Sequence, residues 1–163
     1  MKLLNMEKKI NKEEVISNTV ERELLLQKVE KLVKQAVILN TAGSVAFTAS
    51  LSEFYVVDSN EIIKFDKVWM NIGDGYDPES GVFTAPETGL YMVSSTMRMD
   101  NGLKCCLSKN DIKKVGLHGT GTLNTMMMLQ NGDRIYIKNY GDGYHARLFG
   151  YHLSMFSAFL IKS

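Results

Sequence analysis

A chain of 163 residues with 45% hydrophobic residues is long enough for one domain with a real core and a short additional segment. Its 19 basic and 18 acidic residues give a formal net charge of +1, so no global electrostatic field draws it to nucleic acid or to an anionic membrane. Any binding therefore depends on a local site.

The first residues do not have the composition of a targeting segment. Charges at Glu7, Lys8 and Lys9 interrupt the apolar start of the chain before the core of a signal peptide could form, so no signal peptide is predicted. No uncharged apolar run approaches the roughly 20 residues that a membrane-spanning helix needs. We expect no membrane span, and a removed leader, an unconventional secretion route and an intracellular location all stay open.

Residues 13–39 are predicted to form a helix, because they are rich in Glu, Lys, Leu, Val and Gln and contain no Gly or Pro. Such a helix is marginal alone in water, so its apolar stripe needs a partner. The heptad pattern favours a parallel coiled coil, and a helix packed on its own domain is the alternative. The two seam positions fall on Val15, Arg22, Val29 and Ala36, and on Asn18, Leu25, Leu32 and Leu39.

After a helix-breaking linker at residues 40–44, the hydrophobic period changes to two. Every second residue from Val45 to Leu51 is apolar, which is typical of a half-buried strand. Turn signals rich in Gly, Asn and Asp then divide the chain into short, regularly spaced strands. We therefore predict a coiled-coil segment at residues 1–40 and an all-β head at residues 41–163. The predicted fold of the head is an antiparallel two-sheet jelly-roll sandwich.

The segment from Phe65 to Tyr91 alternates large rings with Gly, Pro, Asp and Asn, which predicts short strands joined by tight turns. The order and spacing of its marker residues resemble the signature of the complement C1q globular-head family. Residues 132–136 and 156–160 are similar to the late strands of that family. The signature residues are Phe65, Asn71, Tyr76, Phe83, Gly89 and Tyr91, with Phe156 and Phe159 in the last strand.

This resemblance covers residues 42–163 and implies a C1q/TNF-like jelly roll with a threefold assembly around a central axis. Where family members usually have two further aromatic residues, this chain has Val93 and Ser95, and Val93 still supplies an apolar inward side chain. Relatives often carry a Gly-x-y collagen stalk, which is absent from this chain. A short coiled coil would serve the same purpose of gathering copies of the head.

Two late segments, residues 126–129 and 155–161, carry apolar residues on both faces. An antiparallel strand with one face in water would have polar residues on that face. We therefore expect the last strand to be covered on both faces, as a threefold contact would require, and a central strand of the subunit's own core is the alternative. The methionines also fit flexible core filler. The predicted trimer contacts are Val29, Leu32, Leu39, Met155 and Phe159.

Nothing in the sequence indicates catalysis. There is no Gly-x-Ser-x-Gly elbow, no phosphate-binding Gly-rich loop with a Lys-Ser/Thr pair and no His-Glu-x-x-His helix. Cys105 and Cys106 are adjacent, so on a strand they point to opposite faces and cannot readily bridge. We predict one buried thiol and one exposed or partly covered thiol. Two cysteines with three scattered histidines also disfavour a structural zinc site.

Gly-Asp-Gly occurs at residues 73–75 and 141–143, and the first copy is predicted to be an ordinary turn. The second is followed by residues suited to an acidic sugar, because rings stack on a sugar face and Arg grips a carboxylate or phosphate. A solvated loop is the alternative. The predicted ligand-binding residues are Tyr140, Asp142, Tyr144, His145 and Arg147.

These observations predict a non-enzymatic, homotrimeric recognition protein that binds carbohydrate or microbial-surface ligands, in the manner of a lectin of innate immunity. The alternative is a structural or cytokine-like ligand whose head meets a protein receptor or another head. The resemblance implies an extracellular location. Some heads of this family hold calcium near the trimer apex, but without a dense carboxylate cluster we assign no calcium ligands. No nucleic-acid partner is expected.

Overall fold

The computed structural model describes residues 19–33, 44–99, 103–141 and 146–162. The chain forms two compact units, residues 1–42 and 43–163. In the first unit, residues 19–33 form helix α1, on which the predicted contacts Val29 and Leu32 are exposed. Leu39 and three of the other predicted seam positions, Val15, Asn18 and Ala36, lie outside the described residues. The coiled coil therefore stays a prediction.

The second unit is built from antiparallel strands. They are β1 (Ala46–Ser50), β2 (Tyr55–Val57), β3 (Lys67–Ile72), β4 (Tyr76–Asp77), β5 (Val82–Thr84), β6 (Gly89–Met97), β7 (Lys104–Lys109), β8 (Ile112–His118), β9 (Gly121–Leu129), β10 (Arg134–Asn139), β11 (Ala146–Leu148) and β12 (Met155–Lys162). The first sheet has the order β3-β1-β12-β6-β9, the second β4-β5-β10-β7-β8, and β11 pairs with β2. The predicted antiparallel two-sheet sandwich is confirmed.

The core lies between the two five-stranded sheets and follows from the alternation of each strand. Phe47 of β1 is buried at its centre, and its ring stacks on Tyr76 at 4.6 Å and on Phe83 at 4.8 Å between centroids. Phe156 of β12 meets Phe47 edge-on at 4.9 Å. Offset and edge contacts of this kind stabilise aromatic cores beyond the area they bury. One aromatic cluster therefore joins the two sheets.

Two signature residues, Asn71 and Tyr76, stabilise the turn between β3 and β4 next to this aromatic cluster. The Asn71 Nδ2 donates to the Tyr76 carbonyl at 2.8 Å, and the Asn71 Oδ1 accepts from the Tyr76 N–H at 3.1 Å. The Tyr76 hydroxyl accepts from the Phe65 N–H and donates to the Phe65 carbonyl, both at 3.1 Å. The rings of the other signature aromatics up to Phe156 are buried, and Val93 is buried as predicted. Asn71 thus acts as a clamp on the backbone of Tyr76.

The prediction for the cysteines is wrong in one respect, because both thiols are buried and free. Cys105 points into the core, and burial raises its pKa to about 12. Cys106 points away from the core yet has 0% exposure. The reason is tertiary: the Tyr140 hydroxyl reaches Ser108 beside Cys106 at 3.2 Å, so this ring covers the outer face of β7.

Within the described residues, the last strand is covered on one face only. Phe156 and Ala158 are buried, whereas Phe159 remains 49% exposed and Met155 is half-buried on the opposite face. Although β12 is the central strand of its sheet, its outer face is therefore no part of this subunit's core. Coverage of both faces requires a partner and stays a prediction.

Candidate functional site: the loop after β10 and the outer face of the second sheet

The structure describes two of the five residues in the predicted ligand-binding loop. Tyr140 directly follows β10, and Arg147 is exposed on β11, where it pairs with Val56 of β2. Asp142, Tyr144 and His145 lie outside the described residues. The loop therefore connects the second sheet to the two-stranded sheet, and its role in binding stays a prediction.

Tyr140 is fixed against the outer face of the second sheet. Its N–H donates to the Lys104 carbonyl at 2.7 Å, which extends the pairing of β10 with β7 by one residue. Its hydroxyl is 3.2 Å from the Ser108 Oγ, and Ser108 is fully buried. The ring therefore lies against the sheet at the point where the predicted loop begins.

Two lysine ammonium groups lie over this ring. The Nζ atoms of Lys113 and Lys138 are 5.4 and 5.5 Å from the Tyr140 centroid. A cation within about 6 Å of an aromatic face is attracted by the ring quadrupole. Lys138 comes from β10 and Lys113 from β8, with β7 between them, so Tyr140 holds together cations from two strands that are not neighbours.

The face around Tyr140 carries positive charge at the outward positions of β10, β7 and β8. Residues that contact the core, such as Ile137, Leu107 and Leu117, occupy the inward positions, so the alternate positions point outward. A register shift between Leu107 and Ser108 pairs Lys113 with the outward Ser108. No acidic residue stands at an outward position of these three strands in the described chain. We call this surface the basic face, and its cationic or titratable residues are Lys104, Lys113, His118, Arg134 and Lys138.

A hollow of about 290 Å³ lies in the basic face. Gly116 lines its floor, and a Cβ at that position would meet the Lys113 side chain at 3.5 Å, an ordinary contact distance. A side chain at position 116 would therefore fill part of the hollow without disturbing the backbone. The hollow is lined by Lys104, Cys105, Lys113, Gly116, Leu117 and His118.

The cations of the basic face lack carboxylate partners within the described residues. The ion pair found in the described residues joins Lys109 to Asp133 at 2.7 Å. Lys109 is the last residue of β7, next to the turn at Asn110, and is not part of the basic face. Asp111, in the turn before β8, accepts a hydrogen bond from the Tyr136 hydroxyl at 2.5 Å. Burial, and then this hydrogen bond, raise the pKa of Tyr136 to about 12. The carboxylate beside the face is therefore engaged by a neutral phenol.

A second polar cluster lies on β3 and β1. The Trp69 Nε1 donates to the Ser50 Oγ at 2.8 Å, and the Ser50 Oγ is 2.8 Å from the His152 Nδ1. The serine and histidine do not form a nucleophilic pair open to substrate, because Ser50 is fully buried. The cluster fixes the Trp69 ring, which is 56% exposed.

Exposed aromatic side chains also lie where the segment before β2 meets the segment after β11. Phe54 contacts Phe149 at 5.2 Å and Tyr151 at 5.5 Å between ring centroids. Arg98 lies 5.0 Å from the Phe149 centroid. Phe54, Tyr151 and Leu153 are exposed, so this surface offers apolar contact area to a partner. We call it the aromatic patch.

Sequence reasoning missed the basic face. In the sequence, His118 is one of three scattered histidines, and no role is predicted for the lysines. The alternation in β7 and β10 was the available signal. It places Lys104 on the same face of β7 as Cys106, and Lys138 on the same face of β10 as Tyr136. Only the pairing of β7 with β10 and β8 brings those lysines together.

Metal and membrane elements are absent from the part of the chain that the structure describes. No three His, Cys, Asp or Glu residues in it are grouped so that they could hold a metal ion. No helix in the same residues has both the length and the apolar character needed to cross a membrane.

Comparison with known proteins places the head among C1q-type domains. The C1q domain pattern matches residues 46–161. The Mytilus edulis protein named "Heavy metal-binding protein HIP" is 30% identical over 128 residues, which cover 72% of this chain and 60% of the mussel protein. Human Multimerin-2 is 32% identical over 111 residues, which cover 60% of this chain and 11% of that protein. The alignments thus span less than two thirds of either relative.

Solved structures share the fold. The globular domain of the zebrafish complement 1qA protein matches with a TM-score of 0.61 at 18% identity, covering 73% of this chain and 98% of that chain. Eiger TNF of S. frugiperda matches with a TM-score of 0.58 at 13% identity, covering 74% of this chain and 92% of that chain. The strand order and these likenesses define a C1q/TNF-like jelly-roll head. With the pattern match over residues 46–161, the chain belongs to the C1q domain family.

Proposed function

We propose that this chain is a non-enzymatic, homotrimeric recognition protein whose heads bind acidic carbohydrate or microbial-surface ligands. The observation that carries the proposal is an exposed apolar face on a C1q-type head, in a chain that also has an exposed apolar helix. Such a head displays loops and outer faces instead of enclosing a reaction. Ligand recognition would use the surfaces that stay open once the apolar face is covered.

The apolar face lies on the outside of the first sheet. The register aligns Ile72, Ala46, Phe159, Met92 and Met126 in one row across all five strands. Met126 and Met128 are each 61% exposed. A patch of this kind on a soluble protein marks an association surface, and a second and third copy of the same head are the partners we propose.

On β6 and β9, the next two rows toward Thr96 are polar and are satisfied within the chain. The Ser94 Oγ donates to the Asn124 Oδ1 at 2.6 Å, and the hydroxyls of Thr96 and Thr122 are 3.0 Å apart. On β6 and β9, the sheet face is therefore divided into an apolar end and a hydrogen-bonded polar end, while Met155 of β12 and Met70 of β3 add apolar side chains to the polar rows. Such a division favours one register of association over a sliding contact, because displacement would bury paired polar groups against apolar ones.

Trimerisation gives weak single sites a use. When several sites of one assembly engage the same surface, later contacts become intramolecular and raise avidity by about a hundredfold or more. The predicted contacts Val29, Leu32 and Leu39 on the helix, and Met155 and Phe159 on the head, would together gather the three loops that run from Tyr140 to Arg147. A surface that carries many copies of a glycan would bind such a trimer more tightly than a single head, because several loops could engage it at once.

A glycan array tests the ligand assignment. We expect wild-type protein to bind sialylated or lipopolysaccharide-type glycans, and Arg147→Ala and Tyr144→Ala to lose most of that binding. Lys162→Ala, an exposed lysine of β12 outside the loop, is the control and should bind as wild type. Unchanged binding in both loop variants would refute the loop assignment.

A second candidate function is favoured by the aromatic patch. Exposed Phe54 and Tyr151 suit a protein partner, because aromatic side chains are enriched at the centres of protein interfaces. A structural or cytokine-like protein with this head would use the patch to meet a receptor or another protein. It is distinguished by binding that is lost in Tyr151→Ala and retained in Arg147→Ala.

We further propose an extracellular location, which rests on family membership. The mussel relative is named for heavy-metal binding, but we do not carry that property over, because the described residues of this chain hold no cluster of metal ligands. Calcium binding likewise receives no residues in this proposal.

A further inference from the structure

We propose that the basic face binds the sulfate or carboxylate groups of an acidic polysaccharide. This inference rests on the proposed recognition function and adds an anion-binding surface on the sheet, separate from the side chains of the loop. The surface is formed by Lys104, Lys113, His118 and Lys138 around Tyr140.

Local charge is the first argument. The whole chain has a formal net charge of +1, yet the outward positions of β10, β7 and β8 carry lysine, arginine and histidine and no carboxylate. Within the described residues, Lys104, Lys113 and Lys138 have no acidic residue within ion-pair distance. Neighbouring strands lie about 4.8 Å apart, so like charges on three adjacent strands repel each other. A bound anion would relieve that repulsion.

Preorganisation is the second argument. A lysine on a solvent-exposed strand usually loses rotamer freedom when it grips a ligand, and that loss weakens binding. Here the Tyr140 ring holds two ammonium groups, at 5.4 and 5.5 Å, and one of them belongs to Lys113, which also lines the hollow. The ring is in turn fixed through the buried Ser108. Part of the conformational entropy that these lysine side chains would lose on binding is therefore already lost in the free protein.

The surroundings decide which polyanion fits. Single-stranded nucleic acid stacks its bases on open aromatic rings, whereas the Tyr140 ring is already covered by Lys113 and Lys138. Insertion into a lipid surface needs several apolar side chains beside the cations, and the strands β10, β7 and β8 expose one large aliphatic residue, Ile112 at the start of β8. An open hollow rimmed by Lys104, Lys113 and His118 matches a chain of acidic sugars that lies across the sheet.

The test uses the full chain and three probes: heparin oligosaccharides carrying sulfate, hyaluronan carrying carboxylate only, and neutral dextran. Lys113→Gln/Lys138→Gln removes two cations from the basic face. Lys67→Gln/Lys162→Gln removes two exposed lysines of the first sheet and is the charge-matched control. Because each exposed ionic contact is weak on its own, we expect the loss of two contacts to lower the affinity for the acidic probes about tenfold, in the first pair only.

A second pair of variants keeps every lysine. Gly116→Glu places a carboxylate in the hollow, and Gly116→Gln places a neutral side chain of the same size there. The space at Gly116 accepts a Cβ, so both variants should fold. We expect weaker binding of heparin oligosaccharides to Gly116→Glu than to Gly116→Gln. Equal binding by these two variants, together with equal losses in the two lysine pairs, would overturn the proposal.

The remaining outcomes separate this inference from the proposed function. If Arg147→Ala loses glycan binding while the Lys113→Gln/Lys138→Gln variant keeps it, the basic face is refuted and the recognition function stands. Binding of dextran as tight as that of the acidic probes would refute an anion site. Equal affinity for vesicles containing phosphatidylserine, with the same dependence on both lysines, would refute the polysaccharide in favour of a lipid headgroup.

Discussion

The clamp between Asn71 and Tyr76 gives the sharpest prediction about the fold. Replacing Asn71 by Ala removes a donor 2.8 Å from the Tyr76 carbonyl and an acceptor 3.1 Å from the Tyr76 N–H. A hydrogen bond contributes about 1 kcal/mol net, and a buried backbone group left without a partner costs more. Tyr76 is buried, so water cannot fully replace the lost side chain. We expect Asn71→Ala to lower the free energy of unfolding by about 2–3 kcal/mol.

Urea unfolding of the full chain measures this loss. Trp69, the single tryptophan, lies on β3 with Asn71 and reports by fluorescence, while circular dichroism reports on the sheets. Asn124→Ala is the matched control, because the Asn124 side chain accepts one hydrogen bond from Ser94 on an exposed face. That control should cost at most about 0.5 kcal/mol.

Equal losses in the two asparagine variants would refute the reasoning. They would mean that the signature asparagine stabilises the head no more than a surface hydrogen bond does. A loss confined to the fluorescence signal would also count against it, since a clamp that holds the aromatic core must affect the whole sandwich.

Three further predictions concern the surface, the pH dependence and the thiols. Phe159→Ser should raise the concentration needed for self-association more than a hundredfold, because a half-exposed Phe hides roughly 100 Å² per copy in an interface. Sedimentation should show no such change for Ile112→Ser, an exposed apolar residue of β8. The hydrogen bond from Lys109 leads the causes that hold the pKa of Asp133 at about 2. That value lies below the unfolded one, so its stabilisation is present above about pH 4 and lost as the pH falls through about 2. Asp133→Asn should therefore lower the free energy of unfolding by about 1–2 kcal/mol at pH 7, with no difference near pH 2 in pH-dependent urea unfolding. Finally, a water-soluble thiol reagent should leave Cys106 unmodified in the native wild-type protein and label it in Tyr140→Ala, because the Tyr140 ring shields this thiol. Rapid labelling of Cys106 in the wild-type protein would contradict that shielding.

The architecture of the head could be read from the sequence because its determinants are local. The period of two from Val45 to Leu51 and the turn chemistry around Asn71 depend on near neighbours along the chain, and the structure has a strand and a clamped turn there. The composition of residues 13–39 predicts a helix for a similarly local reason, and residues 19–33 are helical. Whether that helix meets copies of itself depends on other chains.

What sequence reasoning missed is tertiary. One of the two thiols was predicted to be exposed or partly covered, because alternation alone does not reveal that Tyr140, 34 positions after Cys106, lies over the same face. The basic face was missed for the same reason. Lys113 and Lys138 are far apart in sequence, and only the register of β8 and β10 on either side of β7 brings their ammonium groups to one ring.

For the candidate site too, the side-chain chemistry could be predicted from the sequence and the position of the side chains could not. Tyr140 and Arg147 were selected for side-chain chemistry, and the structure places them at the two ends of one connection. Their chemistry could be predicted because ring stacking and anion binding depend on residue type. The fixed position of Tyr140 against Ser108 could not, because it depends on the pairing of β10 with β7.

The solution mass of the full chain, with and without residues 1–40, tests the proposed trimeric recognition protein most directly. We predict a mass of three copies of the 18.3 kDa chain, about 55 kDa, for the full chain at micromolar concentration. We predict weaker, concentration-dependent trimers for the head alone, because the apolar row with Phe159 remains while the helix is removed. A monomer in both forms would contradict the proposal, since single weak sites would then act without avidity.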